Sequence, residues 1–165
     1  MKLFQYLFVC TALLSSCQLS SQSAIPVRWQ PGMTLTMSYG GGMRYYSYKM
    51  LISDTGSYYI ENSEGRISYY RLQMTAADLD SLAAYLSAQQ LDKIEMEMKG
   101  PIHDKGSENI SLAWDGHYEG AGESYMMVIS EKWERAYNNI QAYLYQIREL
   151  KKKKVKTIPG VDPLD

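Results

Sequence analysis

The sequence predicts an α+β fold: an antiparallel meander sheet with two helices packed on one of its faces. Short runs in which apolar and polar residues alternate dominate the chain, and this alternation is typical of strands with one buried face. Two longer segments place apolar residues three and four positions apart, which predicts amphipathic helices. The elements follow the order three or four strands, helix, two or three strands, helix, without the regular βαβ alternation of a parallel sheet.

Four strands are predicted in the first half of the domain. The first spans Met33 to Tyr39, where apolar side chains alternate with hydroxyl side chains until the glycine triplet at residues 40–42. The triplet indicates a wide turn or bulge rather than an anion site, because a strand follows it and not the N-terminus of a helix. Short turns separate the remaining strands, which are predicted at residues 43–53, 58–61 and 66–74.

Thr75 marks the start of the first predicted helix. It stands three residues before Asp78, as the N-cap of a capping box does, and helical spacing of apolar residues continues to about Gln89. Residues 91–98 are ambiguous, but their apolar and charged side chains alternate as in an exposed strand. Residues 99–107 contain glycine and proline and are predicted to form a loop.

The second half of the sheet is predicted to contain fewer strands and to end in a helix. A strand at residues 110–114 is turned by Asp115-Gly116, and a glycine-rich stretch leads to a last strand near residues 124–129. Ser130 is expected to cap the second helix, one face of which packs on the sheet. The apolar residues of that face are Trp133, Ala136, Tyr137, Ile140, Leu144, Ile147 and, at its end, Leu150.

The N-terminal residues indicate an export signal. Lys2 precedes an apolar stretch that is too short to span a bilayer, and the run Leu14-Ser15-Ser16-Cys17 follows it. This run resembles the lipobox of bacterial lipoproteins, which implies cleavage before Cys17 and attachment of lipid, including palmitate, to that residue. Cleavage removes Cys10 and leaves Cys17 as the one remaining cysteine. Lipidation of Cys17 would then leave no free thiol exposed in an oxidising compartment. The alternatives are an uncleaved anchor and an ordinary secretory peptide cut elsewhere.

This resemblance divides the chain into four parts. They are a signal peptide at 1–16, a tether at 17–31, one α+β domain at 32–150 and a basic disordered tail at 151–165. The predicted tether is polar and serine-rich, and about fourteen such residues would reach about 45 Å when extended.

The chain also resembles small lipoproteins of gut-type Bacteroidota, in which acidic residues often follow the cysteine of surface-exposed members. Residues 18–23 contain no acidic residue, which favours the periplasmic face of the outer membrane.

The charge balance excludes one class of partner. After removal of residues 1–16 the chain has 16 basic and 18 acidic side chains, a balance that does not suggest a nucleic-acid partner. Five lysines lie close together at residues 151–156. They are explained by a helix end followed by a solvated tail, with contact to anionic lipid headgroups as the alternative.

Residue types that carry chemistry are present, but they do not form a known motif. His103-Asp104 and the group at residues 115–119 have side chains that can bind metals, yet their spacing matches no metal motif. Glu95 and Glu97 could act as paired carboxylates, but their alternation with apolar residues is also typical of a solvated strand. The common nucleophile, zinc and phosphate-loop motifs are absent from the sequence. We therefore predict no catalytic residue, no metal, no cofactor and no enzymatic activity.

Tyrosine is the best indication of a binding function. Fourteen tyrosines and no phenylalanine remain after signal cleavage. If the turns are tight, neighbouring strands display tyrosine on both faces, so one face covers the core while the other exposes amphipathic rings suited to a protein or glycan partner. Cross-strand stabilisation of the sheet is the alternative and the one that the pattern favours. The candidate interaction residues are Tyr46, Tyr48, Tyr59 and Tyr69.

The body of the chain also resembles emfourin-type inhibitors of thermolysin-like metalloproteases. The likeness consists of a strand entering the triplet at 40–42, the helix at 75–89, a loop with Asp104, a strand pair around Asp115-Gly116 and a closing helix. The tyrosine-rich hairpin and the lipid anchor depart from that family. The resemblance implies a non-enzymatic inhibitor.

Taken together, these features predict a periplasmic lipoprotein, anchored to the membrane through Cys17, that acts as a non-enzymatic binding module, with inhibition as one form of that activity. A structural subunit of an envelope complex is the alternative. An envelope hydrolase is the less favoured one.

Overall fold

The computed structural model describes residues 23–41, 45–101 and 106–161. Within these ranges the chain has an α+β fold in which an antiparallel seven-stranded sheet is covered on one face by two helices, which confirms the predicted fold class. The order of elements is β1 Thr34–Gly40, β2 Tyr46–Ser53, β3 Tyr58–Ser63, β4 Arg66–Leu72, α1 Ala76–Ala88, a 3₁₀ turn Leu91–Lys93, β5 Met96–Met98, β6 Ser107–Trp114, β7 His117–Glu123, β8 Met127–Ile129, α2 Glu131–Lys151 and β9 Lys152–Val155. The strands of the large sheet lie in the order β7-β6-β1-β2-β3-β4-β9, and β5 pairs with β8 in a separate two-stranded ladder.

Cross-strand register brings the apolar side chains of the sheet together on the face below the helices, called here the inner face. Met37 of β1 lies between Ile110 of β6 and Met50 of β2, and all three are essentially inaccessible to solvent. Because side chains alternate between faces along a strand, this register places every second residue in the core. The inner face and both helices form one continuous hydrophobic core.

The start of α1 follows the predicted capping box. The Thr75 hydroxyl accepts a hydrogen bond from the Asp78 backbone N–H at 3.2 Å, and the Asp78 carboxylate accepts one from the Thr75 N–H at 2.8 Å. Lys151 from the end of α2 donates to the same carboxylate at 2.8 Å. This lysine, together with the capping bonds, lowers the pKa of Asp78 to about 2.

Helix α2 packs its predicted face on the sheet, but its two ends differ from expectation. Ser130 occupies the N-cap position, yet its buried hydroxyl has no hydrogen-bond partner among the described residues. At the other end, Leu150 is 71% exposed and lies outside the core. The residues of α2 that are buried are Tyr137, Ile140, Leu144 and Ile147.

The glycine-rich stretch, predicted as a connection, instead forms the edge strand β7. Its glycines are suited to the pairing because a Cβ at Gly122 would meet the backbone of Asn109 at 2.9 Å, and only a residue without a side chain fits there. The preceding turn has Asp115 at φ 42° and Gly116 at φ 75°, as a tight type I′ hairpin requires. The predicted turn is therefore confirmed, and the strand after it begins immediately.

The prediction of a disordered tail at 151–165 is wrong for its first part. Residues Lys152–Val155 form β9 and pair with β4, with Leu72 opposite Lys152 and Tyr69 opposite Val155. The free edge of β4 provides backbone partners, and lysines are well tolerated on an edge strand because they discourage pairing with other chains. Lys152 also forms an ion pair with Glu149 at 2.7 Å.

The predicted tether at 17–31 is also shorter than expected, because the chain is attached to the domain from Ser23 onwards. The Ser23 hydroxyl and the Ala24 N–H both donate to the Asp92 carboxylate, at 2.6 and 2.9 Å. Ile25 is only 3% exposed and belongs to the core. The backbone N–H of Trp29 donates to the Asp80 carboxylate at 3.0 Å. Residues 17–22, the rest of the predicted tether, lie outside the described residues, as do the signal peptide and Cys17.

Candidate functional site

The four candidate tyrosines do not share one exposed surface. Tyr46, Tyr48 and Tyr59 lie on the inner face, whereas Tyr69 pairs with Ile60 and lies on the opposite face, because it is one residue out of phase with Tyr70. Tyr48 and Tyr59 are 4% and 1% exposed. The prediction that these two rings are exposed is wrong, since they lie beneath side chains of α2. Tyr46 and Tyr69 are partly exposed.

Six tyrosines of the inner face and α2 form a continuous aromatic cluster, called here the tyrosine cluster. Ring centroids of neighbouring members lie 5.7 to 6.4 Å apart, in tilted, near-parallel and edge-on arrangements. Such pairs stabilise a sheet beyond the area they bury, by about 0.5–1.5 kcal/mol each. The register causes the cluster, because Tyr39 lies opposite Tyr48 and Tyr59 lies opposite Tyr70. Its members are Tyr39, Tyr46, Tyr48, Tyr59, Tyr70 and Tyr145.

Glu108, opposite Tyr39 on β6, is a hydrogen-bond acceptor at one end of the cluster. Its carboxylate accepts from the Tyr48 hydroxyl at 2.6 Å, the Tyr145 hydroxyl at 2.8 Å and the Gln141 side-chain amide at 2.7 Å. Burial, followed by the hydrogen bond to Glu108, raises the pKa of Tyr48 far above its ordinary value. Burial raises the pKa of Tyr145 to about 12. Both hydroxyls therefore remain protonated donors at neutral pH.

Glu61 has the equivalent role on β3. Its two oxygens accept from Tyr59 at 3.1 Å and Tyr70 at 2.9 Å. Glu61 and Glu108 belong to the same lateral row of the inner face, separated by Tyr39 and Tyr48. The two carboxylates thus accept from tyrosine hydroxyls of this row, the next row and α2, which satisfies polar atoms of a largely aromatic layer.

Arg148 inserts between two rings of the cluster. Its guanidinium carbon lies 5.1 Å from the Tyr59 ring centroid and 4.9 Å from that of Tyr145. The guanidinium also forms an ion pair with Glu149 at 2.8 Å. Gln141, Tyr145 and Arg148 are spaced four and three residues apart along α2, so they lie along one stripe above the sheet.

An open cleft of about 630 Å³, called here the tyrosine cleft, lies at the end of this cluster. Its volume is within the range of about 300–1,000 Å³ that is usual for small-ligand sites. Tyr45 stands at its edge with 89% of its surface exposed, and the Glu64 side chain is 79% exposed. The lining residues are Tyr39, Tyr45, Tyr46, Tyr48, Ser63, Glu64, Glu108 and Tyr145.

The other sequence candidates are not part of this cleft. Glu95 and Glu97 are exposed, and the His117 ring, also exposed, stacks on Trp114 at 5.2 Å. His103-Asp104 lies outside the described residues. In the ranges that the structure describes, no three His, Cys, Asp or Glu side chains are grouped as a metal site would need. No helix in those ranges is both long and apolar enough to cross a bilayer.

Sequence reasoning missed Glu108, Tyr145 and Arg148. One signal was available for Glu108, since it is in phase with Ile110 and Leu112 and therefore belongs to the buried side of β6. The two residues of α2 carry no such signal, because their hydrogen-bond partners on the sheet are 37 to 97 residues away in the sequence.

The fold and the cleft define a small α+β domain with an open cleft lined by tyrosine and glutamate side chains. No protein-family model matches the chain, and no curated protein matches its sequence. The resemblances to bacterial lipoproteins and to emfourin-type inhibitors therefore stay predictions.

Proposed function

We propose that this chain is a lipoprotein of the bacterial envelope, anchored through Cys17 at the periplasmic face of the outer membrane, and that it acts as a non-enzymatic binding module. The observation that carries the proposal is the tyrosine cleft, an open cavity walled by tyrosine rings. Tyrosine is favoured in binding sites because it provides a large contact area with only two side-chain rotations to immobilise.

The use made of the carboxylates favours binding over catalysis. A general acid or base must exchange a proton with its substrate. Glu108 and Glu61 instead accept hydrogen bonds from five donors of the protein itself and hold the rings in place. A rigid wall of oriented rings lowers the entropy lost when a ligand binds.

The attachment of Ser23 to Asp92 would limit the distance between a lipid on Cys17 and the domain. Only residues 17–22 would separate the lipid from the attached segment, and six residues reach at most about 20 Å. The domain would therefore be held close to the lipid surface, so its partner would be one that is accessible there.

The test compares variants of the cleft edge in the full-length protein. Tyr45→Ala and Tyr46→Ala remove rings that line the cleft and are not fully buried, so the fold should persist. Tyr118→Ala is the matched control, since Tyr118 is 68% exposed on β7 and does not line the cleft. Crosslinking in intact cells should lose the bound partner in the first two variants and retain it in the control. Equal crosslinking in all three would contradict the proposal.

One observation favours the alternative of a structural subunit. The ladder of β5 and β8 exposes methionines at its end: Met96, Met98 and Met126 are 43%, 73% and 42% exposed. Flexible methionine side chains suit protein contacts that adapt in shape. Co-purification that depends on Met98 and not on Tyr46 would favour this alternative.

A further inference from the structure

The described side chains that line the tyrosine cleft carry negative charge. Glu64 and Glu108 are among them, and the described lining residues include no lysine or arginine. The three described side chains that donate to Glu108 are neutral, so its negative charge is not compensated by them. Glu64 pairs with Arg66 at 3.9 Å, but the two side chains are 79% and 83% exposed, so water screens this pair. This field favours a cation and disfavours a phosphate or carboxylate ligand.

Three rings at the cleft have the spacing of a cation site. The centroids of Tyr39, Tyr46 and Tyr48 form a nearly equilateral triangle with sides of 6.0, 5.8 and 6.0 Å. A charge about 3 Å above the centre of this triangle would be about 5 Å from every centroid, inside the distance of about 6 Å at which cation–π attraction operates.

The same tyrosine cluster already holds a guanidinium group. Arg148 lies about equally far from the Tyr59 and Tyr145 rings, and Tyr48 is the neighbour of both, at 5.8 and 6.4 Å. Arg148 shares the Glu149 carboxylate, at 2.8 Å, with Lys152, at 2.7 Å, so Glu149 reduces but does not cancel the repulsion between Arg148 and a second cation nearby. This intramolecular contact shows that rings of the tyrosine cluster pack against a guanidinium group.

Charge separates a cation from a neutral sugar. A neutral sugar gains no Coulomb energy from the carboxylates of Glu64 and Glu108 that line the cleft. A guanidinium group carries a positive charge, five N–H donors and a flat face, so both the exposed carboxylate of Glu64 and the tyrosine rings suit it. We propose that the tyrosine cleft binds a guanidinium group presented as an arginine side chain by a protein partner. This inference rests on the proposed binding function.

The experiment uses two probes that differ almost solely in charge. N-acetylarginine amide and its neutral analogue N-acetylcitrulline amide are titrated calorimetrically into the full-length protein in nonionic detergent. The arginine probe should bind at least tenfold more tightly, and its affinity should fall as salt is raised from 50 to about 500 mM. Equal affinity for the two probes, or no measurable binding of the arginine probe, would overturn the inference.

Matched variants show whether the binding occurs at the triangle. Tyr46→Leu removes one ring and should weaken the arginine probe severalfold, whereas Tyr46→Phe keeps the ring and should retain binding. Glu64→Gln should weaken binding and reduce its salt dependence, and Tyr118→Leu should change neither. Thermal unfolding followed by circular dichroism verifies that each variant is folded.

Two further probes identify other ligand sources. Choline tests a lipid headgroup cation, and maltoheptaose tests a neutral glycan. Tighter binding of either than of the arginine probe would overturn the inference while leaving the proposed binding function intact. Failure of that function would be recognised separately, by partner crosslinking that is unchanged in Tyr45→Ala and Tyr46→Ala.

Discussion

Replacement of Glu108 by glutamine should destabilise the domain substantially, because this one carboxylate accepts three hydrogen bonds inside the tyrosine cluster. Hydrogen bonds to a charged group contribute about 1.5–3 kcal/mol each. Glutamine keeps one acceptor oxygen and replaces the other with a donor, which faces the donating amide of Gln141. Tyr48, only 4% exposed, has little access to water as a substitute.

The expected loss is smaller than the sum of three bonds. The Tyr48 and Tyr145 hydroxyls lie 2.9 Å apart and can bond to each other, while Gln141 and Tyr145 are partly exposed and can turn to water. We therefore expect Glu108→Gln to lower the free energy of unfolding by about 2–4 kcal/mol, a large share of the 5–15 kcal/mol typical of a domain.

Urea unfolding of full-length variants followed by circular dichroism measures this loss. A double-mutant cycle with Tyr48→Phe should give a coupling energy of about 1 kcal/mol or more, because the two residues share the 2.6 Å hydrogen bond. Glu97→Gln is the control, since Glu97 is exposed and its replacement should cost less than about 0.5 kcal/mol. A Glu108→Gln variant as stable as that control, or a coupling near zero, would refute the reasoning.

Three further predictions concern other contacts of the fold. The lowered pKa of Asp78 implies a contribution to stability that is present above pH 4 and is lost as the pH falls toward 2. We expect the loss to be about 1 kcal/mol after solvent screening. Urea midpoints compared across pH should show this loss in the unsubstituted protein and not in Asp78→Asn. Asp92→Ala should release the N-terminal segment and accelerate limited proteolysis at residues 23–30, as detected by mass spectrometry, whereas Asp54→Ala should not; equal rates would exclude the attachment. Gly122→Ala should cost at least about 2 kcal/mol because the new methyl meets the β6 backbone, while Gly56→Ala, with open space around it, should be close to neutral in thermal melts; similar losses would contradict the close packing of β7 on β6.

Much of the sheet and both helices could be predicted because they depend on interactions between residues close in sequence. Strand β1 follows from its alternation, and α1 follows from a capping box that involves only Thr75 and Asp78. The errors fall where partners are distant. The glycines of β7 are explained by the backbone of β6, and the lysines of β9 by the free edge of β4.

The candidate site was predicted by residue type and not by geometry. The abundance of tyrosine indicated binding, and three of the four named tyrosines do belong to the tyrosine cluster. Two of these proved buried and the fourth lies on the other face, since exposure depends on which side of the sheet α2 covers. The residues that organise the cluster, Glu108 and Arg148, have partners far away in the chain. The phase of Glu108 with Ile110 indicates that it faces the buried side but does not identify its partners, and no local pattern identifies Arg148.

By itself, the sequence determined the α+β class, the positions of most strands and the start of α1, because periodicity and capping act over a few residues. Only the tertiary structure decided that Ser23 is attached to Asp92, that the lysine run completes the sheet, and that an acidic cleft opens beside stacked tyrosine rings. These features arise when segments tens of residues apart pack together. The free energy of such contacts depends on which faces are covered and which edges remain free, and a local pattern does not contain that information.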